Sequence, residues 1–449
     1  MPRISSINTH QPSPAAPAGT YAGAAVNTTA PAAHAATDGY TNATSGSSTP
    51  TASISIPSTP LPKVGALDAY NDPKAIVPNA NMHFDSLPKS GKTAVEPWSG
   101  YYWPKATGGI SYRWRTDESH TYEIPNLDKL KTMSANEIAN LSPTEKYDIF
   151  VGSYQFPLTR GVQSANSADT PSWQGYCHGW TQAAIHFKEP SSVTLTNEDG
   201  ISIPFFSSDI KALLTYFQGD VVRSQFGYPF VAKTQVIGGP NPGAFAHDPR
   251  CYDINPGGFH ALLGNLVANG TAFGIDCDNG AQKWNQPVHS YNTQVLERRA
   301  PDRRACAEAV EEVVVKSDVS YAIEIHPQET PANENGHQVS RTDTYHYTLE
   351  LDAQGSIVGG QWLTPTNAGF RSYHDVLEML EKEGLNKKQI RARMVDIFRF
   401  PDYAYTQEKA QFAEEFKPVS GPYAFLSNDK RKLHSYFAKL KDIYQASIS

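Results

Sequence analysis

The chain has 449 residues, with 38 Lys and Arg against 45 Asp and Glu and a formal net charge of −7. That charge and a pI of about 6.1 leave no basic footprint, which argues against a general nucleic-acid binder. The mean hydropathy is −0.47, and no apolar run approaches the ~18 residues a bilayer-spanning helix needs. The length admits one large or two modest domains, and four cysteines are too few for a disulfide scaffold.

In chain order, residues 1–60 are Ala, Ser, Thr and Pro with some Gly and Asn, and only Arg3 and Asp38 are charged. Large apolar side chains are too sparse there to bury a core, so disorder is expected over 1–62. No apolar stretch follows Arg3, so a Sec-type signal peptide is not expected. An uncharged Ser/Thr/Pro leader fits a type III secreted effector and fits an ordinary interdomain tail equally well. The globular part begins near Leu61–Leu67, with a catalytic-type region expected over 63–370 and a helical segment over 371–449.

Pro171, Ser172 and Gly175 read as turn. Downstream, Thr181 to Phe187 reads as helical, with Trp180, Ala184 and Phe187 on one face. Cys177 stands where the loop becomes that helix. A thiol at a helix N-terminus feels the positive end of the dipole, which favours the thiolate. The alternative is a buried cysteine packed as a small hydrophobe.

A thiol nucleophile needs an imidazole, and the imidazole needs an orienting acid or amide. Residues 255–258 (Asn-Pro-Gly-Gly) read as a loop, His260 to Val267 as a strand, Asn269-Gly270 as a turn and Thr271 to Asp276 as the return strand. A three-residue loop with Gly270 left-handed would set His260 opposite Asp278, with Asp276 its diagonal neighbour on the same face. The alternative is that Asp276 and Asp278 are ordinary solvated strand-end carboxylates. Cys277, between them, would then point away from that face.

Further on, Ala305 to Val315 reads as a helix. Tyr321–Ile325, Thr344–Leu351 and Ile357–Trp362 read as strands, the last two joined by a turn at 352–355. His374 to Lys382 reads as a helix ended by Gly384. Asp429 to Ala446 reads as a helix with Leu433, Tyr436, Phe437, Leu440 and Tyr444 on one face and Lys and Arg on the other. The expected class is α+β, an antiparallel sheet packed against the Cys177 helix. A Cys251–Cys277 disulfide is conceivable in an oxidising space. No Cys-x-x-Cys or His-x-x-x-His pair argues for zinc, and Thr196–Gly200 is acidic without the ligand pattern of an EF-hand loop.

Six stretches in order resemble the transglutaminases of the oomycete elicitor type, a group that also has bacterial members. They are Pro97–Pro104 with Ser111–Trp114, Leu141–Asp148, Gly175–Trp180, Asn255–His260, Trp284–Val288, and Tyr345–Asp352 followed by Gly359–Trp362. The resemblance spans roughly 95–365. It implies a papain-like transglutaminase with a Cys-His-Asp triad: Cys177 as nucleophile, His260 as imidazole and Asp276 as carboxylate, with Asp278 the fallback. It implies no cofactor, calcium entering only by analogy with other transglutaminases. The implied partners are proteins with accessible glutamine and lysine, or polyamines. Secretion without a Sec signal, an elicitor-like or virulence role and host targets are expected from it. A deamidase or thiol protease on the same triad, and a non-catalytic elicitor, are the alternatives. Trp173, Trp180 and Trp284 are candidates for a water-excluding wall or for plain core tryptophans. Trp173 and Gln174 are weaker candidates to aid the oxyanion. His178 is expected to point away from its neighbour Cys177.

Overall fold

A long sheet organises the molecule in the computed structural model. The described residues are 65–120, 122–222, 232–238, 253–277, 282–334, 336–366, 369–397, 400–412 and 430–449. The leader, Cys251 and Asp278 lie outside them. Pro60–Ser449 forms one compact unit.

The strands are β1 (Ser90–Lys92), β2 (Val193–Thr196), β3 (Ser202–Phe205), β4 (Thr234–Gly238), β5 (Phe273–Asp276), β6 (Asn285–Arg299), β7 (Glu311–Ala322), β8 (Ser340–Leu351), β9 (Ile357–Thr366), β10 (Gly369–Ser372) and β11 (Tyr403–Gln407). β2 and β3 make a separate hairpin, and the main sheet runs β10-β9-β8-β7-β6-β5-β11-β4 with β1 paired to β6. Its ladders are antiparallel. The fold is α+β, as the residue pattern predicts.

Two apolar cores lie on opposite faces of this sheet. Successive strand side chains alternate between faces, and β5 shows it. Phe273 and Ile275 pack with Phe259, Leu262 and Leu263 of the helix Pro256–Asn265. Gly274 and Asp276 turn the other way; a Cβ on Gly274 would strike the Tyr405 ring. On β11, Ala404 joins the first core, while Tyr405 reaches across to donate to the His178 carbonyl. The helix Cys177–His186 lies on that second face, in a core with Trp98, Trp103, Tyr147 and Phe217.

Two sequence expectations fail for identifiable reasons. His260 is not on a strand. It sits in the helix Pro256–Asn265, which begins with Asn255 accepting from the Gly257 N–H at 2.8 Å and Pro256 in the first turn, both ordinary helix-start signals. Its apolar run is short enough to suit either period. Gly257 and Gly258 are needed there, because a Cβ would lie 2.7 Å from the Gly359 carbonyl oxygen and 2.5 Å from that of Asn71. The Asn269-Gly270 turn exists, with Gly270 at φ +85, but it closes a helical turn rather than a hairpin. The run Ala305–Val315 is likewise not a helix. Val313–Val315 lie in β7, paired on both sides, where β-branched side chains fit better than in a helix.

The C-terminal segment is helical at Tyr373–Lys382, Lys387–Ile397, Lys430–Tyr436 and Leu440–Ser447, yet it is not a separate layer. It returns as β11 between β5 and β4. Tyr436, Phe437, Leu440 and Tyr444 bury into the Cys177-side core.

Candidate active site

Cys177 is the first residue of its helix. The loop before it is pinned by two main-chain bonds, Tyr176 N–H to the Tyr102 carbonyl at 2.6 Å and Lys105 N–H to the Gln174 carbonyl at 2.8 Å. Trp98 and Trp180 lock the helix behind it. Trp98 Nε1 donates to the Phe187 carbonyl at 3.0 Å, and Trp180 Nε1 to the Trp98 carbonyl at 3.3 Å. Trp180 is therefore a core tryptophan. Trp284 is only half-buried and packs on the Tyr102 ring at 5.2 Å.

The sulfur is buried and has two partners. Sγ donates to the Lys283 carbonyl at 3.4 Å, and Asn285 Nδ2 donates to Sγ at 3.4 Å. Asn285 Oδ1 accepts from the Tyr403 hydroxyl at 2.9 Å. One helical turn on from Cys177, Thr181 Oγ1 donates to the Asn285 carbonyl at 2.7 Å. Asp276 is the cross-strand partner of Asn285. Its Oδ1 accepts from the Trp284 N–H at 2.7 Å, and Lys283 Nζ stands 3.6 Å from Oδ2. Cys177 and Asp276 thus lie on one side of the sheet.

His260 is not. It lies on the opposite face, with Nδ1 at 2.8 Å from the Tyr347 hydroxyl and its ring 5.6 Å from Phe84. The sheet itself stands between it and Cys177, so the expected Cys177–His260 pair does not form. The error follows from the strand assignment: a helix crossing the far face cannot deliver a side chain to β5's near face. Among the described residues no imidazole hydrogen-bonds the Cys177 sulfur. His178 turns toward Asp220, at 3.7 Å. Cys277 packs with the far core, away from Asp276, and is free.

The electrostatics match this geometry. Burial pushes the Cys177 thiol up to about 11. The N–H donors of Asn285 oppose the rise, and the charges of Glu324 and Asp276 add to it. Burial, helped by the Lys89 charge, lowers His260 to about 3, so it is a neutral imidazole at physiological pH. Glu324 is raised by burial, against two hydrogen bonds from Gln286 Nε2 at 2.9 and 3.0 Å. Among the described residues no cluster of three or more His, Cys, Asp or Glu is arranged to hold a metal ion, and none of the helices there is long and apolar enough to cross a membrane.

Sequence reasoning missed Asn285 and Tyr403. Asn285 stood inside a quoted motif without a role. Tyr403-Ala404-Tyr405 carries an aromatic period of two, the signal of a strand, inside the segment 371–449 expected to be helical.

The α+β sheet with the Cys177 helix on one face is similar in fold to a transglutaminase. Residues 159–377 match the family described as Transglutaminase elicitor. The crystal structure of the GP42 transglutaminase from Phytophthora sojae is similar over 85% of this chain and 98% of that one, with a TM-score of 0.55 and 19% identity. Among curated proteins no sequence matches. The family match contains Cys177, His260, Asp276 and Asn285, and it ends before β11.

Proposed function

We propose that this chain is a cysteine-dependent acyltransferase of the transglutaminase type, acting on glutamine side chains of proteins. The observation that carries the reading is the Cys177 sulfur at the first residue of a helix, held by an amide donor beside Asp276. Sγ attacks the carboxamide carbon of a glutamine. The S–C bond forms, the C–N bond breaks, and ammonia leaves with the thiol proton. The helix N-terminus favours the negative charge that develops on the carbonyl oxygen. Asp276 and Glu324, whose charges bear on the sulfur, are the proton carriers in this reading. A lysine or polyamine amine then attacks the thioester, giving an amide and restoring the thiol; water in its place gives glutamate. The half-buried Tyr102–Trp284 pair sets how much water enters.

The test is incorporation of labelled cadaverine into casein. The wild-type chain should label it and Cys177→Ala should fall to background. Glutamate formed without label would make the chain a deamidase. Absence of both products would remove the enzymatic reading.

A second reading, a non-catalytic elicitor recognised through its surface, is favoured by one observation: two carboxylates and no imidazole attend the thiol among the described residues, and its pKa stands at about 11. If the biological effect survives Cys177→Ala undiminished, this reading holds. Action outside the producing cell is proposed on the composition of residues 1–60 alone. Retention of the whole chain inside the producing cells on fractionation would refute it.

A further inference from the structure

Asn285 is gripped from three directions. The Cys177 sulfur takes one amide hydrogen, the Tyr403 hydroxyl occupies the amide oxygen, and Thr181 holds the main-chain carbonyl. An amide has two ends of opposite character, and what its oxygen bonds decides where its N–H points. The Tyr403 hydroxyl donates to Oδ1, so Nδ2 is turned to the sulfur. Tyr403 belongs to β11, whose register on β5 (Ala404 opposite Ile275) fixes its position next to Asp276.

We propose that Asn285 is a catalytic residue, its amide stabilising the Cys177 thiolate, and that Tyr403 is the positioning residue that aims it. The proposal rests on Cys177 being the reacting group, and it gives the C-terminal strand, beyond the family-matched segment, a part in the site. An amide donates but takes up no proton at ordinary pH. Asn285 therefore stabilises the anion without serving as base, unlike an imidazole, which would form an ion pair with the sulfur. The titratable groups around Sγ are Asp276, Lys283, Glu324 and the phenols of Tyr102, Tyr403 and Tyr405. The two carboxylates disfavour the thiolate, and burial raises all three phenols above their ordinary value, so they stay neutral. That leaves the Asn285 N–H groups as the donors that oppose the burial of the sulfur.

The experiment is iodoacetamide alkylation of the full-length chain from pH 6 to 11, scored at Cys177 by peptide mass mapping so that the other thiols do not count. The wild-type profile should rise along one alkaline limb, with no acid-side plateau of an imidazole ion pair. In Tyr403→Phe, which keeps the ring, the rate at pH 8 should fall about threefold relative to wild type. In Asn285→Ala it should fall about tenfold, the size expected for a hydrogen bond to a charged group. Asn285→Asp should fall further still. If Asn285→Ala does not fold, Tyr403→Phe carries the test, with its thermal midpoint reporting the fold. Profiles of Tyr403→Phe and Asn285→Ala that coincide with wild type overturn the proposal. Alkylation needs no glutamine substrate. Displaced profiles together with absent cadaverine transfer would uphold the stabilisation of the Cys177 thiolate by Asn285 and remove the acyl-transfer reading instead.

Discussion

The two faces of the sheet solve the burial of polar groups in different ways. The Cys177 face uses charge. Lys146 and Asp209 pair at 2.5 Å with both side chains wholly buried, and Trp114 Nε1 adds a bond to Asp209 at 2.8 Å. Lys211 pairs with Glu189. The His260 face uses neutral groups. His260, Tyr347, Ser317 and Thr293 form a chain of hydrogen bonds of 2.8, 2.7 and 2.6 Å through an otherwise apolar core. Charged pairs demand their exact partners, since a lone buried charge is very costly. The hydroxyl chain is more forgiving, because hydroxyls rotate to suit. Cys177 lies on the charged face; the His260 imidazole lies where it stays neutral.

The largest effect expected from breaking this contrast is on the charged face. Lys146→Ala strands Asp209 in a core where the pair was fully buried. It should cost about 3–5 kcal/mol of unfolding free energy, measured by urea denaturation. A loss under about 1 kcal/mol would mean that water reaches the pair and that the face is not dry.

How much of this contrast was legible depended on the kind of signal. Local signals carried well. The helix after Cys177, the strands around Thr344–Leu351 and Ile357–Trp362 and the stop at Gly384 (φ +75) all follow from periodicity and turn chemistry. The opposition of His260 and Cys177 did not. It depends on which side of the sheet a helix crosses, a tertiary choice that a ten-residue stretch does not encode. Misreading His260–Val267 as a strand converted that choice into a false register argument. Asn285 was hidden for another reason: an amide becomes part of a site only through what holds it, and its holder, Tyr403, lies far along the chain in a strand.

A smaller effect tests the neutral face. His260→Ala removes a fully buried ring between Phe84 and Tyr347. It should cost about 2–3 kcal/mol through the cavity and the lost hydrogen bond. In folded protein, the alkylation profile of Cys177 should not move. A displaced profile at a temperature where the variant is folded would show that the imidazole reaches the sulfur, and the separation of the faces would have to be given up.

The smallest expected effect is the pH dependence of that same histidine. Its folded pKa is depressed to about 3 from an ordinary 6.5 by burial and the Lys89 charge. Between those values the unfolded chain binds a proton that the folded chain refuses, so stability falls as pH drops. The His260 contribution is fully present above about pH 6.5. By pH 5 it should have lost about 2 kcal/mol, at about 1.4 kcal/mol for each pH unit below 6.5. Nε2, buried without a hydrogen-bond partner among the described residues, leaves nothing to welcome the second proton. The measurement is urea unfolding of wild type and His260→Gln at pH 7 and pH 5, taking the difference so that other titrating groups cancel. Wild type should lose about 2 kcal/mol more than the variant over that interval. Equal losses would mean that the imidazole takes up its proton inside the folded chain, and that this face is less apolar than its packing implies.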